Sequence, residues 1–164
     1  MRIFELKTEV RVTGRLETVF PFFADAANLE LLTPPWLRFQ ILTPGPIEMR
    51  VGALIDYRIW LRVVPLRWRT RISAWQPPFR FVDEQLCGPY RQWIHEHTFT
   101  QDGDEVIIHD HVRYAVPGGP AFQSTAHRML VRPELDRIFS YRVGAMKRLL
   151  QSGAGAEAVV MSPP

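Results

Sequence analysis

Between Gly52 and Val116 the chain alternates apolar and polar residues with a period of two, interrupted by short turn signals. Ala53 to Arg62 sets Ile55, Tyr57, Ile59 and Leu61 against Asp56, Arg58, Trp60 and Arg62. Leu66 to Trp75 sets Trp68, Thr70, Ile72 and Ala74 against Arg67, Arg69 and Arg71. Phe79 to Cys87, Gln92 to Thr100 and Val106 to Ala115 continue the pattern, with turns at Val63–Pro65, Pro77–Pro78, Gly88–Pro89 and Asp102–Gly103. Two further strands are expected upstream, Arg2 to Val12, closed by Gly14, and a short one at Trp36 to Thr43. The period then changes. From Pro133 to Gln151 apolar residues recur at steps of three and four (Leu135, Ile138, Phe139, Val143, Met146, Leu149, Leu150), the stripe of an amphipathic helix. Glu134 and Asp136 near its start and Lys147 and Arg148 near its end suit the helix dipole.

Two short helices are expected after the first strand. One spans Arg15 to Asp25 with Leu16, Val19, Phe20, Phe22 and Phe23, kinked or shortened by Pro21. The other is capped by Asp25, carries Leu29, Leu31 and Leu32, and ends at Pro34–Pro35. Ala121 to Arg132 reads as a helical lead-in to the long helix. The pattern therefore predicts an α+β fold in which a curved antiparallel sheet of about seven strands wraps a long C-terminal helix. Residues 1–151 form one domain in this reading, and 152–164 a disordered tail.

Register carries the pattern to individual side chains. A two-residue loop at Asp102–Gly103 sets Gln101 opposite Asp104, Phe99 opposite Val106, His97 opposite Ile108, His95 opposite Asp110 and Trp93 opposite Val112. The neighbouring turns place Tyr57 near Thr70 and Thr70 near Gln85. The face that the long helix covers thus carries Tyr57, Thr70, Asp83, Gln85, His95, His97 and Asp110 inside an apolar frame that includes Trp68, Trp93, Tyr114 and Phe139. An unpartnered polar group in a dry core costs a few kcal/mol. So many on one face point either to a self-satisfied hydrogen-bond network or to a cavity that holds water or a ligand.

Composition narrows the classes. With 46% apolar and 23% charged residues in 164, the chain is globular and long enough for a real core. No apolar run approaches the roughly 18–20 residues of a membrane span, and MRIFELKTEV has no signal-peptide layout, so stable membrane insertion is not expected. A single cysteine, Cys87, excludes an internal disulfide and suits a reducing cytoplasm. The net charge of +3 is too mild to argue for nucleic acid. Arg58, Arg62, Arg67, Arg69 and Arg71, with Trp60, form a basic stripe on the outer face. Asp56, Glu84 and Glu96 on the same face make it a solvated surface of ion pairs.

The stretches LTPPW (Leu32–Trp36), GALIDY (Gly52–Tyr57), PLRW (Pro65–Trp68), WQPPFRFVDEQ (Trp75–Gln85), GPYRQWIHEHTF (Gly88–Phe99) and DHVRYAVPGGP (Asp110–Pro120) resemble the START/Bet v 1-like helix-grip superfamily, also called SRPBCC. They are most similar to its bacterial ligand-binding, polyketide cyclase/dehydrase-like group. The resemblance implies a cavity between sheet and helix, gated by the two short helices and nearby loops. It implies no particular reaction, because the superfamily holds lipid carriers, hormone receptors, aromatase/cyclases and oxygenase domains.

The leading expectation is a cofactor-free binder of a small hydrophobic molecule or lipid. The alternative is a cyclase/dehydratase-like enzyme in which Asp110 orients His95 as a base, with Asp83 and Tyr57 at the substrate oxygen. A metal triad of His95, His97 and Asp110 is set below a His–Asp hydrogen bond inside the cavity, because His-x-His side chains on a strand are often too far apart to share a small ion without a bulge.

Overall fold

The alternating stretches pair into one antiparallel sheet of seven strands in the order β1-β7-β6-β5-β4-β3-β2. These are β1 (Phe4–Thr13), β2 (Gln40–Ile41), β3 (Leu54–Leu61), β4 (Val64–Gln76), β5 (Arg80–Cys87), β6 (Gln92–Asp102) and β7 (Glu105–Ala115). The computed structural model describes residues 1–61 and 63–151; the expected tail, 152–164, and Arg62 lie outside the described residues. From β3 to β7 the sheet is a meander, since each two-to-four-residue turn permits only an antiparallel neighbour. β1 then closes on β7, pairing Phe4 with Tyr114 through Thr13 with Glu105.

The helices are α1 (Leu16–Ala24), α2 (Pro120–Ala126) and α3 (Arg132–Gln151), with a π-helical turn at His127–Val131 joining the last two. α1 keeps Pro21 inside its nine residues and buries Leu16, Val19, Phe20, Phe22 and Phe23. The expected second helix is only one 3-10 turn, Ala26–Leu29. Asp25 caps it by accepting from Ala27 N at 2.9 Å, but the buried Asn28 amide donates to the Phe22 carbonyl at 2.9 Å and ties the segment back to α1. Leu32 is buried as expected, whereas Leu31 stays exposed. The expected strand at Trp36 to Thr43 shrinks to two residues. Pro35–Leu37 forms another 3-10 turn, and Arg38 at φ 43° redirects the chain before pairing begins.

α3 lies on the inner face of the sheet and buries Leu135, Phe139, Arg142, Ala145 and Met146. Its two halves serve two apolar clusters. Ala145 and Met146 pack with the α1 phenylalanines, Val10, Val12, Phe99, Val106 and Ile108. Leu135 and Phe139 pack with Leu6, Trp68, Trp93, Val112 and Tyr114. On the outer face Arg69 grips Asp56 through two bonds of 2.7 and 2.8 Å, Arg71 pairs with Glu84 at 2.9 Å, and Arg80 pairs with Glu96. Two arginines of the basic stripe, Arg69 and Arg71, are therefore paired with acidic neighbours on the same face. Among the described residues no helix is long and apolar enough to cross a membrane.

Candidate functional site

Between α3, the 3-10 turns and the inner sheet face lies a cavity of about 420 Å³. Its walls are chiefly apolar, with Phe22, Phe23, Leu32, Leu37, Ile55, Ile59, Trp68, Ile72, Trp93, Leu135 and Phe139 among them. Its rim includes the exposed Asp25 and Leu130. Of the residues expected on its wall, Tyr57, Trp68, Thr70, Asp83, Trp93, His95, His97 and Phe139 are there.

Three are placed elsewhere. Tyr114 is wholly buried behind the wall, and its hydroxyl meets His127 Nε2 at 2.9 Å. Gln85 is used by the β5–β6 turn: its amide donates to the Tyr90 carbonyl at 2.7 Å and its oxygen accepts from Tyr90 N at 3.3 Å. A Cβ on Gly88 would collide with that Gln85 side chain, which accounts for the glycine. Gln85→Ala should therefore cost about 1–2 kcal/mol by stranding both Tyr90 groups, read as a lower denaturation midpoint with an unchanged slope. Asp110, the third, lies beneath the wall.

Asp110 is the hub of the polar cluster. Its Oδ1 accepts from His95 Nε2 at 3.1 Å, and its Oδ2 accepts from Arg142 Nε at 3.0 Å. His97 Nδ1 is 2.7 Å from Oδ1 but out of line for a hydrogen bond, so that contact is ionic. On its other side His97 donates from Nε2 to Asp83 Oδ2 at 3.0 Å. His95 Nδ1 stands 3.7 Å from the same Asp83 oxygen, beyond hydrogen-bond reach. Near the cluster, the Tyr57 hydroxyl meets Thr70 Oγ1 at 3.4 Å.

The register explains these contacts and corrects the expected one. β6 and β7 pair Asp102 with Glu105, so Gly103–Asp104 is the turn, His97 faces Asp110 and His95 faces Val112. Gly103 has φ 62°, at the first central position, where a II′ hairpin turn favours glycine. The change shifts partners by two residues and so leaves every side chain on its expected face. His95 still reaches Asp110, but diagonally. Likewise Tyr57 pairs with Trp68, and its hydroxyl reaches Thr70 from the next position; Thr70 does face Gln85.

The supposed separation of His95 and His97 does not hold either. Their ring centroids are 3.8 Å apart, because both rings lean between the carboxylates of Asp83 on β5 and Asp110 on β7. Arg142 was not anticipated from the sequence. Leu135, Phe139, Arg142 and Met146 follow steps of four, three and four, so the helical stripe itself passes through the arginine.

The environment sets the charges. Burial alone would raise the Asp110 carboxyl, but the Arg142 guanidinium and both imidazoles outweigh it and hold it well below the usual range. Burial also opposes charge on Asp83, and its bond from His97 with the nearby cations keeps it below its ordinary value. His97 is buried too, yet Asp110 and Asp83 carry it above the ordinary imidazole value. Burial and the neighbouring His97 push His95 the other way. His97 is therefore the more readily protonated of the two rings, and His95 is left neutral with Nε2 as donor and Nδ1 as a lone pair.

No family model matches the sequence, and no curated protein matches it significantly. Solved structures do match the fold. The Zhui aromatase/cyclase from Streptomyces sp. R1128 is similar with a TM-score of 0.70 at 15% identity, over 96% of each chain. A protein of Thermus thermophilus gives 0.66 at 15% identity, over 92% of this chain and 99% of that one. Norcoclaurine synthase from Thalictrum flavum gives 0.64 at 13% identity, over 90% and 86%. With a seven-stranded antiparallel sheet, a long terminal helix gripped against it and these structural neighbours, the chain has a helix-grip α+β fold.

Proposed function

We propose that this protein binds one small hydrophobic or amphipathic molecule between sheet and α3. The observation that carries the reading is the cavity: about 420 Å³, within the roughly 300–1,000 Å³ of small-ligand sites, with polar groups gathered largely on one wall. An apolar body fits against Phe22, Phe23, Ile55, Ile59 and Phe139. A polar end meets Thr70, Asp83 and His95, where the His95 lone pair and the Thr70 hydroxyl favour a ligand hydroxyl. The reading places the protein in the cytoplasm, where the exposed Cys87 thiol stays reduced.

Filling the cavity tests this. Ile59→Trp puts an indole into the space from a buried wall position on β3. It is expected to weaken binding of a fluorescent naphthalene probe at least tenfold, while circular dichroism remains that of the wild type. Equal probe affinity in both proteins would place binding elsewhere.

One observation favours a second reading, the cyclase or dehydratase. Asp110 fixes the Nε2 side of His95, and Nδ1 has no hydrogen-bond partner among the described residues, the arrangement of an oriented base. In that reading His95→Gln keeps probe binding and abolishes turnover of a carbonyl substrate.

A further inference from the structure

We propose that Asp83, His95 and His97 bind a divalent first-row transition ion at the polar wall of the cavity. The proposal stands on the donor geometry and does not rest on capture of an organic ligand. Asp83 Oδ2 is 3.0 Å from His97 Nε2 and 3.7 Å from His95 Nδ1, and the three donor atoms lie within 4.8 Å of one another. Ligands about 2.0–2.2 Å from a shared ion are separated from each other by roughly 3–3.6 Å, so the Asp83–His97 pair already fits, the Asp83–His95 pair nearly does, and the two histidine nitrogens must draw together to close the site. Two imidazoles and one carboxylate suit zinc or iron(II) and leave coordination positions open.

The surroundings supply what a built site requires. A ligating histidine commonly presents its far ring nitrogen to a carboxylate, which fixes ring orientation. Asp110 does this for His95 and lies beside the far nitrogen of His97 without a hydrogen bond. It accepts from His95 Nε2 at 3.1 Å and stands 2.7 Å from His97 Nδ1, which leaves His95 Nδ1 and His97 Nε2 on the side of Asp83. Arg142 occupies the other oxygen of Asp110 and keeps that carboxylate from serving as a ligand itself. All three donors are on paired strands, with Asp83 directly opposite His95, so the set is held by the sheet and not by a loop. The three residues also line the cavity, which gives the open positions access to an oxygen of a bound molecule. Without an ion the same groups close into the hydrogen-bonded and ionic network described above, and this is the alternative that a measurement must exclude.

The test is zinc titration of full-length protein stripped with a chelator, followed by calorimetry and thermal melting. Cobalt(II) serves as a spectroscopic probe. The expected result is one equivalent of zinc with micromolar or tighter affinity, a higher melting temperature, and cobalt ligand-field bands. Asp83→Asn and His95→Gln, each checked for native circular dichroism, are expected to weaken zinc at least 100-fold and to lose the melting shift. His109→Gln and His111→Gln, on the outer face near Glu9 and Glu5, are expected to bind as the wild type does. The proposal is overturned if stripped protein shows no saturable zinc binding. It is equally overturned if folded Asp83→Asn and His95→Gln retain wild-type affinity, or if only the outer-face variants lose it.

Discussion

Asp110→Ala is expected to destabilise the protein by about 3–5 kcal/mol, a large part of the roughly 5–15 kcal/mol that holds a domain folded. The carboxylate is fully buried, and it answers three buried groups at once. Its removal leaves the Arg142 guanidinium desolvated beneath α3 and strands the Nε2–H of His95. Most of the cost therefore comes from the groups left unpaired, and less from the attraction that the carboxylate itself supplied. Arg142→Met should cost less, because the methionine fills much of the same channel and brings no charge. The double variant is expected to fall short of the sum of the singles by about 1–3 kcal/mol, measured by urea denaturation. Strict additivity would mean that Asp110 and Arg142 do not depend on each other, contrary to the geometry.

Met146→Asp is the second large effect. Met146 is wholly buried and packs in an apolar cluster with the α1 phenylalanines and residues of the sheet. An aspartate there loses the packing of the thioether and must either desolvate its charge or take up a proton. About 4 kcal/mol or more is expected, enough to unfold much of the population near physiological temperature. Lys147→Asp, one residue later on the exposed face, should cost about 1 kcal/mol or less, chiefly through the helix dipole. Similar melting curves for the two variants would contradict the assigned helix face.

Much of this architecture was legible because period and burial express one physical fact. Five alternating stretches with turn residues between them permit little except a meander. The long stripe from Leu135 to Met146 needs a surface of that kind to cover. The inner polar face was legible for the same reason, since parity along a strand survives a register error of two residues. The partners within it were not. Whether Asp102–Gly103 or Gly103–Asp104 forms the turn depends on backbone hydrogen bonding, and the sequence Asp-Gly-Asp admits both. Hydrophobicity leads the stripe to Val143, whereas the helical angle alone leads to Arg142, so the buried arginine is invisible to an apolar pattern. Nor did the sequence reveal that two histidines on one strand would lean together, since that depends on Asp83 and Asp110 arriving from the strands on either side.

The central claim, a small molecule held between sheet and α3, is tested most directly by native mass spectrometry of freshly purified protein beside its Ile59→Trp variant. The account predicts an excess mass on the wild type that corresponds to one organic molecule, recovered by solvent extraction and absent from the variant. An identical adduct on both proteins, or none on the wild type even after incubation with the naphthalene probe, would contradict it.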